Sequence, residues 1–187
     1  MQDDIKKAIE VLKSGGIILY PTDTVWGIGC DATNEEAVKK IYELKQRDDS
    51  KSMLILLDNP SKLQTYVQDV ADIAWDLIDL TDKPLTIIFD GAKNLATNLI
   101  AEDGSIGIRV TSELFSRELC KQFRKPIVST SANISGEPTP KLFSNISDSI
   151  INGVDYVVNY RRKENKAGEP SGILKLSKDG TIKIIRK

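Results

Sequence analysis

The chain has 187 residues, with 26 lysines and arginines, 27 aspartates and glutamates, no histidine and a net charge of −1. The absence of histidine excludes Ser-His-Asp and Cys-His catalysis, histidine-bound zinc and imidazole pH switches. The balanced charge argues against the broad basic surface of a duplex nucleic-acid binder, so any anion site must be a local cluster.

Strand and helix patterns alternate along the chain. Apolar spacing predicts helices over 3–14, after the N-cap Asn34, after Asn59-Pro60, around 70–80, from Ser112-Glu113 to about 123, and near 144–151. Apolar runs predict strands at 16–21, 53–58, 85–90, 105–110, 126–130 and 155–159.

The end of the chain differs from this alternation. Residues 161–170 are charged and contain glycine and proline, which indicates a mobile loop. Residues 172–186 read as a hairpin that turns at Asp179-Gly180. We therefore expect an α/β fold with a mixed parallel and antiparallel sheet, flanking helices and one domain over residues 1–187.

The cysteines and the N-terminus bear on location. Cys30 and Cys120 belong to no CxxC pattern, which predicts two reduced, buried thiols rather than a disulfide or a metal site. The N-terminus carries Asp3 and Asp4 and lacks a signal-peptide core, and the longest apolar stretches have only strand length. We expect a cytoplasmic protein that does not enter a membrane.

Two polar segments in the first third of the chain could carry chemistry. Residues 21–32 combine Thr22, Thr24 and Trp26, which suits either a structural turn with a core tryptophan or a hydroxyl-lined wall for a small ligand. Lys45, Arg47 and Lys51 follow on a predicted helix end. They form either a solvated last turn or a polyphosphate clamp.

Two more segments follow later strands. Arg109 lies among apolar residues at strand spacing, so it either faces solvent from an edge strand or faces a cleft and binds a carboxylate. Ser129, Ser131 and Asn133 lie in a stretch that ends in a glycine. That stretch is either an ordinary turn or a phosphate and base pocket built from hydroxyl and main-chain N–H groups.

Taken together and in this order, the segments resemble the YrdC/TsaC family of threonylcarbamoyl-AMP synthases over nearly the whole chain. The motifs are PT[DE]TxxGxG at 21–29, KxRxxxK at 45–51, a GxRxP-like stretch at 107–111, and SxxNxSG spread over 130–136. The resemblance implies the YrdC-like fold, a twisted mixed α/β sheet with a large concave cleft.

The resemblance also implies a reaction. Threonine and bicarbonate (or CO2) would give N-carboxylated threonine, which attacks the α-phosphate of ATP and yields threonylcarbamoyl-AMP and pyrophosphate. Mg²⁺ would be carried by the ATP phosphates rather than by a protein cage. Transferase proteins would then pass the threonylcarbamoyl group to tRNA, and members of the family are also described as RNA-binding.

Position by position, the resemblance assigns roles to twelve residues. Lys45 and Arg47 would be catalytic. Threonine would be bound by Thr24, Arg109, Ser129 and Ser171. The nucleotide would be bound by Arg47, Lys51, Ser105, Ser131, Asn133, Thr139 and Arg186. Two alternatives stay open: a non-catalytic RNA-binding module, and a relative with weak synthase activity or with another phosphorylated substrate.

Overall fold

The computed structural model describes residues 1–48 and 53–187. Within them lie six α-helices: α1 (Gln2–Lys13), α2 (Glu35–Lys45), α3 (Leu63–Tyr66), α4 (Ile73–Asp79), α5 (Leu114–Phe123) and α6 (Asp148–Gly153). The predicted N-cap of α2 is confirmed, because the side chain of Asn34 accepts a hydrogen bond of 3.1 Å from the N–H of Ala37. Glu113 caps α5 in the same way, at 2.7 Å from the N–H of Ser116.

The same residues contain nine strands in one sheet: β1 (Ile18–Tyr20), β2 (Gly27–Gly29), β3 (Leu54–Leu57), β4 (Leu85–Phe89), β5 (Ile106–Val110), β6 (Ile127–Ser131), β7 (Tyr156–Val157), β8 (Gly172–Leu176) and β9 (Ile182–Arg186). Their order across the sheet is β7-β1-β2-β6-β3-β5-β4-β8-β9. The pairs β1–β7, β3–β5 and β4–β8 are parallel and the other neighbours are antiparallel. The prediction of a mixed sheet is therefore confirmed.

Strand β6 joins the two halves of the sheet. On one side it pairs with β2, with Ser131 opposite Gly27, and on the other with β3, with Ser129 opposite Leu54. Its apolar half, Ile127 and Val128, is fully buried. The polar residues that follow lie where β6 ends, so the core fixes the position of the hydroxyl-bearing half.

The core lies between the sheet and its flanking helices. Helices α1 and α5 pack against each other and α5 packs against β3, and their inward residues Ile5, Leu12, Phe115 and Leu119 are almost fully buried. Burial of each such side chain contributes roughly 1.5–3 kcal/mol of transfer free energy. The predicted buried thiols are confirmed, because Cys30 and Cys120 are both free and buried.

Strand β2 departs from the sequence prediction, which has either a structural turn or a ligand-binding wall over residues 21–32 and no strand. Its two glycines disfavour a strand by propensity, but the sheet requires them. A Cβ atom on Gly29 would lie 2.6 Å from the carbonyl oxygen of Val128 and 2.7 Å from the ring of Tyr20. The absence of a side chain therefore lets β2 fit between its neighbours.

Other boundaries differ by a few residues. Helix α4 starts at Ile73 rather than near 70, and α6 starts at Asp148, after Ser147 at its N-cap position. The hairpin prediction is confirmed, since β8 and β9 are antiparallel and Gly180 in the turn has φ +85°. No helix in the described part of the chain has both the length and the apolar composition needed to cross a bilayer.

Candidate functional site

A pocket of about 260 Å³ is lined by residues from six strands of the sheet and from four loops. Eight of the twelve predicted site residues line it: Thr24, Arg47, Arg109, Ser129, Ser131, Thr139, Ser171 and Arg186. A second cavity of about 550 Å³ shares Thr24 and Pro170 with it. The large concave cleft implied by the resemblance stays a prediction.

Arg109 is held inside the fold by β5. This strand lies between β3 and β4, so the edge-strand alternative is wrong. The Nε atom of Arg109 is 3.0 Å from Oδ1 of Asp23, and its Nη2 atom is 3.4 Å from the hydroxyl oxygen of Thr24. Arg109 lines the pocket, which places a buried guanidinium where a carboxylate could bind.

Asp23 is a site residue that the sequence analysis missed. Burial raises the pKa of its carboxyl group, and the charge of Arg109 opposes that rise without cancelling it. An arginine predicted among apolar strand residues needs a buried counter-charge, and Asp23 is the only acid of the motif at 21–29. That requirement was the available signal.

Thr24 is fixed by a short hydroxyl turn. Its N–H donates a hydrogen bond of 3.1 Å to the Thr22 hydroxyl oxygen, and the two hydroxyl oxygens are 3.0 Å apart. The Thr22 hydroxyl also donates to the carbonyl oxygen of Val25 at 2.7 Å. The hydroxyl of Thr24 is thereby held at the pocket wall beside Arg109.

Ser129 and Ser131 lie two positions apart on β6, so their side chains point to the same face of the sheet. Both line the pocket, as does Gly27, which pairs with Ser131. A Cβ atom on Gly27 would come within 3.2 Å of Thr22 and 3.3 Å of the Ser129 hydroxyl. The glycine therefore keeps this part of the pocket open.

Lys45 lies behind the polar loop that follows β6. Only 1% of it is exposed, and its Nζ atom is 2.5 Å from the carbonyl oxygens of both Ser131 and Asn133. Its own carbonyl oxygen accepts a hydrogen bond of 2.8 Å from the N–H of Ser135. The solvated-turn alternative is wrong for Lys45, and its contact with phosphate stays a prediction.

The Lys45 environment also changes its acidity. Burial, and next the positive charge of Arg47, lower the pKa of the ammonium group to about 8.

Asn133 stabilises the same loop through its side chain, because its Nδ2 donates hydrogen bonds to the carbonyl oxygens of Ile134 and Glu137 at 2.9 Å each. Lys45 and Asn133 therefore shape the loop that carries Ser131.

Arg47 follows α2 through a tight helix end. Gln46 has φ +49° and its N–H donates to the carbonyl oxygen of Glu43, while the N–H of Arg47 donates to that of Tyr42 at 2.9 Å. These are the two hydrogen bonds of a Schellman motif. The motif turns the chain out of the helix and leaves Arg47 in the pocket wall. Lys51 lies outside the described residues.

The terminal hairpin supplies the opposite wall. The Ser171 hydroxyl is 2.9 Å from that of Thr86, and the Ser171 carbonyl oxygen accepts a hydrogen bond of 2.9 Å from Nε of Arg186. The pairing of β8 with β9 shifts by one residue between Ile173 and Leu174, so Arg186 pairs with Ile173. Both of these residues line the pocket, in agreement with a bulge that aims a side chain.

The two weaker candidates for nucleotide binding, Thr139 and Ser105, differ in whether they reach the pocket. Thr139 lines the pocket. Ser105 does not, because it precedes β5 at the far end from Arg109 and its N–H donates to the Asp103 carboxylate at 3.0 Å. The structure therefore does not bring Ser105 to the other predicted residues.

The loop over residues 161–170 is in contact with the Thr24 segment. Nη1 of Arg161 donates to the carbonyl oxygen of Thr22 at 3.0 Å and lies 3.2 Å from the Glu113 carboxylate. A Cβ atom on Gly168 would lie 1.8 Å from the carbonyl oxygen of Thr24, so only glycine fits there. The loop is thus part of the site's surroundings.

The donor set around the pocket does not form a magnesium site. In the described part of the chain the pocket lining contains arginine and hydroxyl side chains but no carboxylate, and no group of three potential metal ligands occurs. Mg²⁺ prefers carboxylate, phosphate and water oxygens. The described lining of this pocket therefore offers Mg²⁺ no set of carboxylate ligands.

Comparison with known proteins identifies the family. A family model described as "Sua5_yciO_yrdC: Telomere recombination" matches residues 10–187, and the chain belongs to this family. It is 35% identical over 161 residues to the threonylcarbamoyl-AMP synthase of Pseudoalteromonas translucida, covering 84% of this chain and 86% of the relative. It is 36% identical over 140 residues to that of Escherichia coli O9:H4, covering 73% and 74%. The predicted family resemblance is confirmed.

Solved structures show the same fold. The crystal structure of E. coli YciO superimposes with a TM-score of 0.85 at 26% identity and covers all of this chain and 90% of that one. Pyrococcus abyssi Sua5 complexed with L-threonine gives a TM-score of 0.82 at 23% identity over 92% of this chain. The chain spans about half the length of the P. abyssi protein.

Proposed function

We propose that this protein is a threonylcarbamoyl-AMP synthase that catalyses the first step of threonylcarbamoyladenosine formation in tRNA. The amine of threonine attacks bicarbonate or CO2 and gives a carbamate, with loss of water when bicarbonate reacts. A carbamate oxygen then forms a bond to the α-phosphorus of ATP, and the bond to pyrophosphate breaks. This reaction is a nucleotidyl transfer, so the enzyme is a nucleotidyltransferase.

The convergence of Arg47, Arg109 and Arg186 on one pocket supports this proposal most strongly. Carbamate and ATP are both anions, and their repulsion opposes close approach at low dielectric. The three guanidinium groups in this pocket offset that repulsion, with the charge of Arg109 balanced in part by Asp23 behind it, although the whole chain has a net charge of −1. Catalysis then needs positioning and electrostatic stabilisation rather than histidine acid–base chemistry.

The pocket divides between the two substrates. We assign the threonine side to Thr24, Arg109, Ser129 and Ser171, where the buried guanidinium suits the carboxylate. The nucleotide side is assigned to Arg47, Ser131, Thr139 and Arg186, with Lys51 as a further phosphate ligand. Lys45 and Asn133 support the loop of Ser131.

The proposed reaction also suggests a metal ion, a cellular location and partner proteins. Mg²⁺ would arrive on the ATP phosphates. Because the substrates include ATP and the product serves tRNA modification, we place the protein in the cytoplasm with threonylcarbamoyl-transferase proteins as partners. Direct contact with tRNA is compatible with this scheme and is not needed for the adenylation step.

The deciding experiment is product identification by mass spectrometry after incubation of the protein with ATP, magnesium, bicarbonate and threonine. Threonylcarbamoyl-AMP should form together with an equal amount of pyrophosphate, and omission of threonine should abolish both. Pyrophosphate release that continues without threonine would instead indicate another phosphorylated product. RNA binding without any pyrophosphate release would indicate the non-catalytic alternative.

A further inference from the structure

The ion pair between Asp23 and Arg109 is almost completely buried. The side chains of Arg109 and Asp23 are 4% and 7% exposed, and Nε and Oδ1 are 3.0 Å apart. The N–H is not directed at the oxygen, so each of these two atoms lacks a well-formed hydrogen bond. Burial of both ions is costly, and no directed hydrogen bond between these two atoms offsets that cost. The ion pair is therefore weak evidence that Asp23 serves only to stabilise the fold.

The two residues face different spaces. Arg109 lines the 260 Å³ pocket, whereas Asp23 lines the neighbouring cavities of about 250 and 550 Å³. Asp23 therefore supports the guanidinium from a side other than the pocket. Because Asp23 meets Nε, it leaves the two terminal Nη groups available to other partners, and one of them is 3.4 Å from Thr24.

We propose that Asp23 is a positioning residue that orients the Arg109 guanidinium for the carboxylate of the amino-acid substrate, an inference that rests on the proposed function. A buried guanidinium without a counter-charge would bind small anions with little selectivity. The neutral Asp23–Arg109 pair binds a carboxylate only where directed hydrogen bonds add to the attraction. Asp23 thereby makes the site selective for a carboxylate in one orientation.

A structural role alone gives a different pattern from a positioning role. If Asp23 only stabilised the fold, its removal would lower the fraction of folded enzyme. The apparent kcat would then fall, and the KM values for threonine and ATP would not separate. If it orients Arg109, its removal affects the amino-acid substrate and leaves ATP use unchanged. Burial raises the pKa of the Asp23 carboxyl group, so desolvation of its charge opposes folding.

The test compares Asp23→Asn with Asp58→Asn in steady-state kinetics. Asp58 lines the same 250 Å³ cavity as Asp23, and its carboxylate pairs with Lys62 at 2.6 Å. We expect Asp23→Asn to raise the KM for threonine about tenfold or more, because a misoriented guanidinium loses directed hydrogen bonds to the carboxylate, with the KM for ATP changed less than about twofold. Asp58→Asn should leave both constants unchanged.

Asp23→Glu is the conservative variant, because the cavity behind Asp23 can accept one more methylene group. It should raise the KM for threonine less than Asp23→Asn does. If Asp23→Asn fails to fold, a rise confined to the threonine KM in Asp23→Glu carries the test. An unchanged threonine KM in the folded variants, or equal rises for threonine and ATP, would overturn the proposal.

A second readout does not depend on activity. The ¹H–¹⁵N resonance of Arg109 Nε, assigned with Arg109→Lys, should shift in Asp23→Asn and stay in place in Asp58→Asn. If the wild-type protein forms no threonylcarbamoyl-AMP, the proposed function fails whatever this resonance does. If the wild type is active and the resonance is unaffected in Asp23→Asn, only the positioning role fails.

Discussion

The ammonium group of Lys45 lies 2.5 Å from the carbonyl oxygen of Ser131, so a buried charge joins the end of α2 to the end of β6. The same nitrogen reaches the carbonyl oxygen of Asn133. The loop that carries Ser131 therefore takes its shape from a helix that is remote in sequence. Substitution of this lysine should act first on the loop and only then on the chemistry.

Lys45→Met should lower the free energy of unfolding by about 1–3 kcal/mol, because it leaves two buried carbonyl oxygens without a donor. Urea denaturation measures the change. Lys39→Met is the matched control on the same helix, since Lys39 is exposed and lies 4.0 Å from Glu43. The control should change stability by less than about 0.5 kcal/mol. Equal losses in the two variants would contradict the role assigned to Lys45.

The stability difference between the wild type and Lys45→Met should depend on pH. Burial lowers the pKa of Lys45 from 10.5 to about 8 in the folded state. Between these values the unfolded chain binds the proton that the folded chain has released, so rising pH favours the folded state. The wild type should therefore gain stability relative to Lys45→Met between pH 8 and 10, measured by urea denaturation at each pH. A constant or falling difference would show that the lysine keeps its ordinary pKa.

Arg47→Ala should reduce kcat by about a hundredfold or more, because a group that neutralises phosphate charge acts mainly in the transition state. Pyrophosphate release in the presence of threonine and bicarbonate measures the rate. Lys39→Ala provides the control, because it removes a cation from the exposed face of α2, the helix that Arg47 follows. Full activity in Arg47→Ala would refute its assignment to the triphosphate.

Arg186→Ala should raise the KM for ATP by about tenfold, the loss typical of a hydrogen-bonding cation, with a smaller change in the KM for threonine. Lys183→Ala serves as the control, since Lys183 is an exposed cation on the same strand and is not in the pocket lining. A threonine KM that rises as much as the ATP KM would place Arg186 on the other side of the pocket.

Much of the site could be predicted from local sequence. Arg109 stands out as a charge at strand spacing among apolar residues, and the serines of β6 follow a buried run. Even the burial of Lys45 had a signal, because Val38, Ile41 and Lys45 recur at the i, i+3, i+7 spacing of one helix face. The position of Lys45 at the end of α2 favours a solvated side chain, and the spacing of the buried face outweighs that preference.

The remainder depends on pairings between distant segments. The parallel pairing of β4 with β8 brings Thr86 against Ser171, and no periodicity in either strand specifies that partner. The short glycine-containing β2 is stabilised by its neighbours rather than by its own propensity. The need of Arg109 for a counter-charge pointed to Asp23, but the 3.0 Å contact between the two side chains depends on the folded sheet.

The pairing of β6 with both β2 and β3 has a consequence for how the molecule acquires its binding capacity. Helices and the terminal hairpin are local structures that can form quickly, whereas β6 must find partners about 75 to 100 positions earlier in the chain. Closure of such long loops is slow because the entropy is lost before the contacts are gained. During refolding, substrate recognition should therefore return no earlier than the pairing of β6 with β2 and β3.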